Sequence, residues 1–168
     1  STMHRKALEL KDGEKIDMLM MDFVNGDTLD DYVSNILSRG DASQLSIVAE
    51  KFRSIVNELV TIGFYHGDIS HSNLMIDETG RLRFIDYDSV YIHGAKNPAQ
   101  GEAGHPNFQH PSRTTSRFTR LEDVYFSALV VYVSLHALAK SPELWDSHHS
   151  MGDNLIFQRS RDDLISDA

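Results

Sequence analysis

Phe64 to Asp77 reads FYHGDISHSNLMID and places His66, Asp68 and Asn73 in the spacing H-x-D-x-x-x-x-N, immediately ahead of an apolar segment. Upstream of it, from Ser43, the residues Leu45, Val48, Ala49, Phe52, Ile55, Val56, Leu59 and Val60 recur at steps of three and four. That period predicts a long helix with one buried face, ended at Gly63. Downstream, Leu74 to Ile76 and Leu82 to Ile85 flank Asp77-Glu78-Thr79-Gly80 and read as a hairpin. The polar loop is therefore expected between a long helix and a hairpin, a rigid setting for a site.

Asp68 and Asn73 taken alone also fit a turn whose side chains satisfy local backbone groups. Asp86 adds a second signal, because it closes the second strand in RFIDYDSV, and the hairpin would return it beside Asn73. Two oxygen ligands at one sheet edge, with a further carboxylate one loop away, suit a divalent cation carried on a nucleoside triphosphate.

The remainder of the chain sets the frame. The 168 residues fit one domain, or one domain with part of another, and can bury a real core, and 40% hydrophobic with 24% charged residues is a globular composition. A net charge of -9 argues against general attraction to nucleic acid or to an anionic membrane surface. With no cysteine there is neither a disulfide nor a thiolate metal site, which fits a reducing cytoplasm. Ser1-Thr2-Met3-His4-Arg5 has no apolar signal core behind it.

Lys6 to Leu10 and Lys15 to Phe23 surround Lys11-Asp12-Gly13-Glu14, a β-hairpin signal that delivers the chain to the breaker Asn25-Gly26. Asp27-Thr28 can cap a helix running through Leu37 and stopping at Arg39-Gly40. Tyr91 to Arg117 holds three of the four prolines and little periodicity, so it reads as a long connection of the kind that is either functional or disordered. Leu121 to Ala139 is apolar on nearly every face and predicts a helix buried on all sides, its tyrosines and phenylalanine included. The longest apolar run within it, Val124 to Ala139, falls short of the ~18 residues of a membrane span. Asn154 to Phe157 is a short apolar patch ahead of an acidic, solvated tail. The spacing of His105 with His110, and of the adjacent His148 and His149, does not suit a structural zinc site.

His66-Gly67-Asp68-Ile69-Ser70-His71-Ser72-Asn73 resembles the catalytic loop of protein kinases, and Asp86-Tyr87-Asp88 their Asp-Phe-Gly metal motif. The resemblance implies that Asp68 orients or deprotonates an acceptor hydroxyl, that Asn73 and Asp86 hold Mg²⁺, and that His66 is structural. LMMDFVNGDTL looks like the hinge between kinase lobes, with Met21 as gatekeeper and the backbone of Asp22 and Val24 on the adenine edge of ATP. GHPNFQHP resembles the end of an activation segment, and LEDVYFSALVVYVSL the central buried helix, its Asp123 turned back to brace the catalytic loop. IDYDSVYI, GHPNFQHPSR, SLHALAKSPELW and DNLIF together are similar to a bacterial branch of kinase-like domains with D-Y-D-G-M, G-H-P-N-Y-Q-H-P, L-W and N-L-L-F in that order.

The fold so implied is α+β, mainly α: a β-hairpin of the small lobe and hinge over residues 1–26, and a helical kinase-like large lobe over 27–168. The function implied is ATP- and Mg²⁺-dependent phosphoryl transfer of the Ser/Thr protein kinase type. Partners would be ATP and a protein substrate or binding protein, with neither nucleic acid nor membrane, in the cytoplasm.

The departures from the family pattern are specific. The 168 residues contain no glycine-rich strand pair, phosphate-gripping strand lysine or partner glutamate, so the chain looks like a large lobe with the last hairpin of a small one, taken from a longer protein. Gly67 stands where many kinases have the arginine that answers activation-loop phosphorylation. Ser70 stands for a phosphate-contacting lysine, Asp88 for the glycine of the metal motif, and Ser112 for a bracing glutamate. Two other readings remain: a small-molecule kinase of the aminoglycoside or choline type, and a pseudokinase that binds partners without chemistry.

Overall fold

In the computed structural model, residues 2–95, 104–113, 119–150 and 152–159 are described. Parts of the expected long connection, 96–103 and 114–117, and all of the acidic tail lie outside them. The fold is mixed α+β, as the sequence implied.

The first hairpin forms from β1 (Thr2–Glu9) and β2 (Lys15–Met20), paired antiparallel with Glu9 opposite Lys15 and a register shift between His4 and Leu8. Leu10 N–H donates to Glu14 O at 2.8 Å and closes the turn built on Asp12-Gly13. Further along, β3 (Gly26–Thr28) pairs antiparallel with β5 (Leu74–Asp77), which pairs with β6 (Leu82–Phe84). Strand β3 is a correction to the sequence reading, in which Asn25-Gly26 is only a breaker. Three residues are too few to show an alternation, and the strand exists because β5 offers it an edge. Between β3 and β5, β4 (Phe64–Tyr65) pairs with β7 (Tyr91–Ile92), giving structure to the start of what reads as a loop.

Helix α1 (Leu29–Ser38) starts where the cap was expected, with Thr28 Oγ1 accepting from Asp31 N–H at 3.2 Å. Helix α2 (Gln44–Thr61) turns the expected stripe inward: Leu45, Val48, Ala49, Phe52 and Val56 are buried. It packs on α3 (Leu121–Lys140), whose Val124, Val131, Leu135 and Leu138 are buried. Each such Leu or Val contributes about 1.5–3 kcal/mol by leaving water. Across this interface Glu50 accepts from Tyr132 Oη at 2.6 Å, and within α2 from Arg53, and these bonds hold its carboxyl down at about 2. Phe52 also meets Phe84 of β6 at 6.3 Å, tying the helix pair to the sheet.

Helix α3 is not buried on all sides. Tyr125, Leu129 and Val133, one turn apart, are 46%, 57% and 38% exposed. By length and composition α3 is also long and apolar enough to cross a membrane, contrary to the sequence reading, but its inner face packs on α2. Hydropathy alone cannot separate a core face from an apolar solvent face. A short 3₁₀ turn (Pro106–Phe108) and α4 (Leu144–His148) complete the chain, and the patch after α4 sends Leu155 and Ile156 into the core.

Candidate active site

The catalytic-type loop hangs between β4 and β5. The Asp68 backbone N–H donates to His66 Nδ1 at 3.3 Å, so that nitrogen is unprotonated and Nε2–H donates to Ile85 O at 3.0 Å. His66 is 1% exposed; burial pushes its pKa down, against the nearby carbonyl of Ile85 and carboxylates of Asp68 and Asp86. It is a neutral pin between the loop and the end of β6, packed against Phe84 at 5.3 Å and Tyr87 at 5.8 Å.

Asn73 faces back across the loop, its Nδ2 donating to Asp68 O at 3.0 Å and to Asp68 Oδ2 at 2.9 Å. That commits the nitrogen to Asp68 and leaves the carboxamide oxygen as the end that can accept. Ile85 N–H donates to Asn73 O at 3.0 Å, so the next residue, Asp86, leaves the sheet alongside Asn73. Among the described residues Asp86 is the single non-glycine with positive φ, 58°. Such a conformation costs of order 1–3 kcal/mol and is kept where the surroundings over-determine it, most often at functional sites. Its side chain is exposed and meets Asp88 N–H at 3.5 Å.

The expected hinge residues stand opposite. Met21, Asp22 and Val24 line one side of a cleft of about 380 Å³ whose other side includes Phe84, Ile85 and Tyr87. The cleft thus reaches the residues flanking Asp86, while Asp68 and Asn73 lie outside its lining. Arg83 pairs with Asp77 at 3.2 Å at its rim. Asp77 also accepts from the Thr79 hydroxyl and the Arg81 N–H, which fixes the hairpin turn and holds its carboxyl well below the usual range.

A third segment, missed as a source of site contacts, closes on the loop. His105 N–H donates to Asp68 Oδ1 at 2.7 Å, and Gln109 Nε2 to Gly67 O at 3.2 Å. Gly67 has no room for a side chain: a Cβ there would lie 2.3 Å from Ser89 O and 2.5 Å from Thr119 Oγ1. The phosphate-reading arginine of many kinases could not be seated here. Ser70 is fully buried, bonded to Ser72 Oγ at 3.0 Å, instead of facing a phosphate. Near Ser112, Arg113 is buried with Asp123 at 3.9 Å and donates to Thr119 Oγ1 at 3.3 Å. Asp123 in turn caps α3 through Arg120 N–H at 2.8 Å.

Sequence spacing also hid a histidine cluster. His71, 1% exposed, His149 and Asp30 gather with His71 Nε2 and His149 Nε2 at 3.9 and 3.7 Å from Asp30 Oδ1; His105 lies edge-on to His71. Burial and the neighbouring His105 and His149 push His71 down to about 4. These residues come from positions far apart in the chain, so no local spacing reveals them. Among the described residues no three His, Asp or Glu side chains are placed to hold a metal ion. The oxygens of Asn73 and Asp86 are two hard donors, the chemistry that Mg²⁺ shares between a protein and substrate phosphates.

A helical pair under a small sheet, a loop of His66, Asp68 and Asn73, and Asp86 in a left-handed bend define a kinase-like domain. Residues 11–96 match the model of the ABC1 atypical kinase-like domain family, and the chain belongs to that family. No curated protein matches it.

Proposed function

We propose that this protein is an ATP- and Mg²⁺-dependent phosphotransferase of the Ser/Thr protein kinase type, acting on a protein hydroxyl in the cytoplasm. The observation that carries the reading is the coupling of Asp68, Asn73 and Asp86. One carboxamide holds Asp68 through its nitrogen and keeps its oxygen for a cation, and the strand bonded to Asn73 ends in the strained Asp86.

In this reading residues 1–26 are the small-lobe hairpin and hinge, and 27–168 the large lobe. Met21, Asp22 and Val24 seat the adenine, and Asn73 and Asp86 hold Mg²⁺. The bound Mg·ATP supplies the electrophilic phosphoryl group and the neutralisation of its charge. Asp68 orients the acceptor hydroxyl and takes its proton as the new O–P bond forms and the bond to ADP breaks. His66 keeps the loop and Asp86 in register while remaining uncharged.

A scaffold reading draws on one observation: both Asp68 oxygens already have protein donors, Asn73 Nδ2 and His105 N–H. Phosphoryl transfer and Mg·ATP affinity, measured in the natural full-length protein and in Asp68→Asn and Asp86→Asn, separate the two. Phosphotransfer predicts that Asp68→Asn keeps Mg·ATP binding and loses transfer by about 10²–10⁴-fold, the range for a positioned base. Asp86→Asn should weaken Mg·ATP itself. Tight partner binding by a wild type that transfers nothing would leave the scaffold.

A further inference from the structure

We infer that Gln109 is a positioning residue for Asp68, locking the catalytic-type loop to the 104–109 segment so that the carboxylate is aimed from both sides. The kinetic consequence rests on the phosphotransfer reading; the structural one rests on geometry alone. The family match ends at residue 96, so this contact comes from a part of the chain that the match does not cover.

Gln109 is 4% exposed and its Nε2 donates to Gly67 O at 3.2 Å. Its Oε1 is buried without a hydrogen-bond partner. A residue kept only to fill space would be better as Met or Leu, because an unpartnered buried carbonyl is unfavourable. What the amide adds is a donor to the carbonyl of Gly67, a residue at which Ser89 O leaves no room for a side chain.

Gly104 makes the approach possible. Its φ is +76°, and a Cβ would lie 2.7 Å from Asp68 Oδ1, 2.7 Å from Gln109 Nε2 and 2.8 Å from Gly67 O. With the backbone this close, His105 N–H reaches Asp68 Oδ1 at 2.7 Å. The segment is also held elsewhere: Phe108 stacks on His71, near the other end of the same loop, at 5.1 Å, and on the far side Asn107 bonds Asp153 O and Arg159 N–H. Freeing Gly67 O therefore releases the Gly67–Asp68 end of the loop, while the Phe108–His71 stack still holds its other end, and the His105–Asp68 bond loosens with it.

The test uses Gln109→Met, which keeps volume without a donor, and Gln109→Glu in the natural full-length protein. Phosphoryl transfer is measured against pH, and amide exchange of His105 by NMR. Gln109→Met should lower kcat by about 10²-fold, the scale of a 1 Å misplacement, with KM for ATP nearly unchanged. In Gln109→Glu the introduced carboxyl group would repel Gly67 O when ionised and donate to it when protonated. The activity ratio of Gln109→Glu to wild type should therefore rise as pH falls, while that of Gln109→Met stays flat. In Gln109→Met the His105 amide should exchange faster. Undiminished kcat in Gln109→Met, or equal pH dependence of the two ratios, overturns the proposal. A wild type without transfer defeats the phosphotransfer reading, and the His105 amide then decides alone: faster exchange in Gln109→Met upholds the lock and unchanged protection overturns it.

Discussion

Replacing Gly67 with alanine adds one methyl group at the most confined point of the site. The new Cβ would meet Ser89 O at 2.3 Å, Thr119 Oγ1 at 2.5 Å and Ser89 Cβ at 2.9 Å. An ordinary contact is about 3.4 Å or more, so roughly 1 Å of movement is needed. A backbone carbonyl blocks one side, and it already accepts from Thr119 Oγ1 at 3.3 Å. On the other side, Gln109 holds Gly67 O and Asn73 holds Asp68. Overpacking of a filled site costs typically 1–3 kcal/mol, and blocked on both sides this position belongs at about 3 kcal/mol. At 2–4 °C per kcal/mol for a chain of this size, Tm should fall by about 6–12 °C in thermal unfolding followed by circular dichroism. Because φ at Gly67 is not in the left-handed region, alanine suffers no backbone strain and the loss is one of packing alone. A Tm within about 1 °C of wild type, far below the shift that overpacking produces, would refute the reasoning and reopen the position to a side chain.

The exposed stripe of α3 predicts an asymmetry: Leu129→Glu should change stability by less than about 1 kcal/mol, whereas Leu135→Ala should cost about 2–5 kcal/mol in urea unfolding. Equal losses would mean that the outer face is covered. His71 predicts an acid sensitivity. Its folded pKa, about 4, lies below the ordinary histidine value of 6.5, so the unfolded chain binds the extra proton and stability falls as pH drops from 6.5 to 4. The loss is on the order of 3 kcal/mol, opposed by Asp30, whose carboxyl is raised by burial and therefore favours the folded state on acidification. His71→Phe should flatten that slope in denaturant unfolding at stepped pH, and an unchanged slope would remove His71 as its cause.

How legible the protein was depends on how local each signal is. Helix α2 and the hairpin of β5 and β6 could be read directly, because their periodicity and turn residues lie within a few residues of one another. The closeness of Asp68, Asn73 and Asp86 was legible for the same reason, since one loop and one hairpin join them. Strand β3 was not, since three residues become a strand only through the edge of β5. The contacts of His105 and Gln109 with the loop cross some forty residues, and nothing in GHPNFQHP specifies which backbone it will meet. The cluster of Asp30, His71 and His149 brings together distant positions by packing α1, the loop and the chain after α4. Tyr125, Leu129 and Val133 misled because apolar residues on a solvent face carry the same composition as core.

In the proposed phosphotransferase, Asn73 and Asp86 share one cation site next to the cleft lined by Met21, Asp22 and Val24. Paramagnetic Mn²⁺ titrated with ATP into the isotopically labelled protein tests this most directly, read as line broadening of assigned amides. Broadening should centre on the Asn73 side-chain amide and the backbone amides of Asp86 and Tyr87, and should be lost in Asp86→Asn. Bound nucleotide with broadening centred instead on Asp30, His71 and His149, or with none near Asn73, would contradict the shared site.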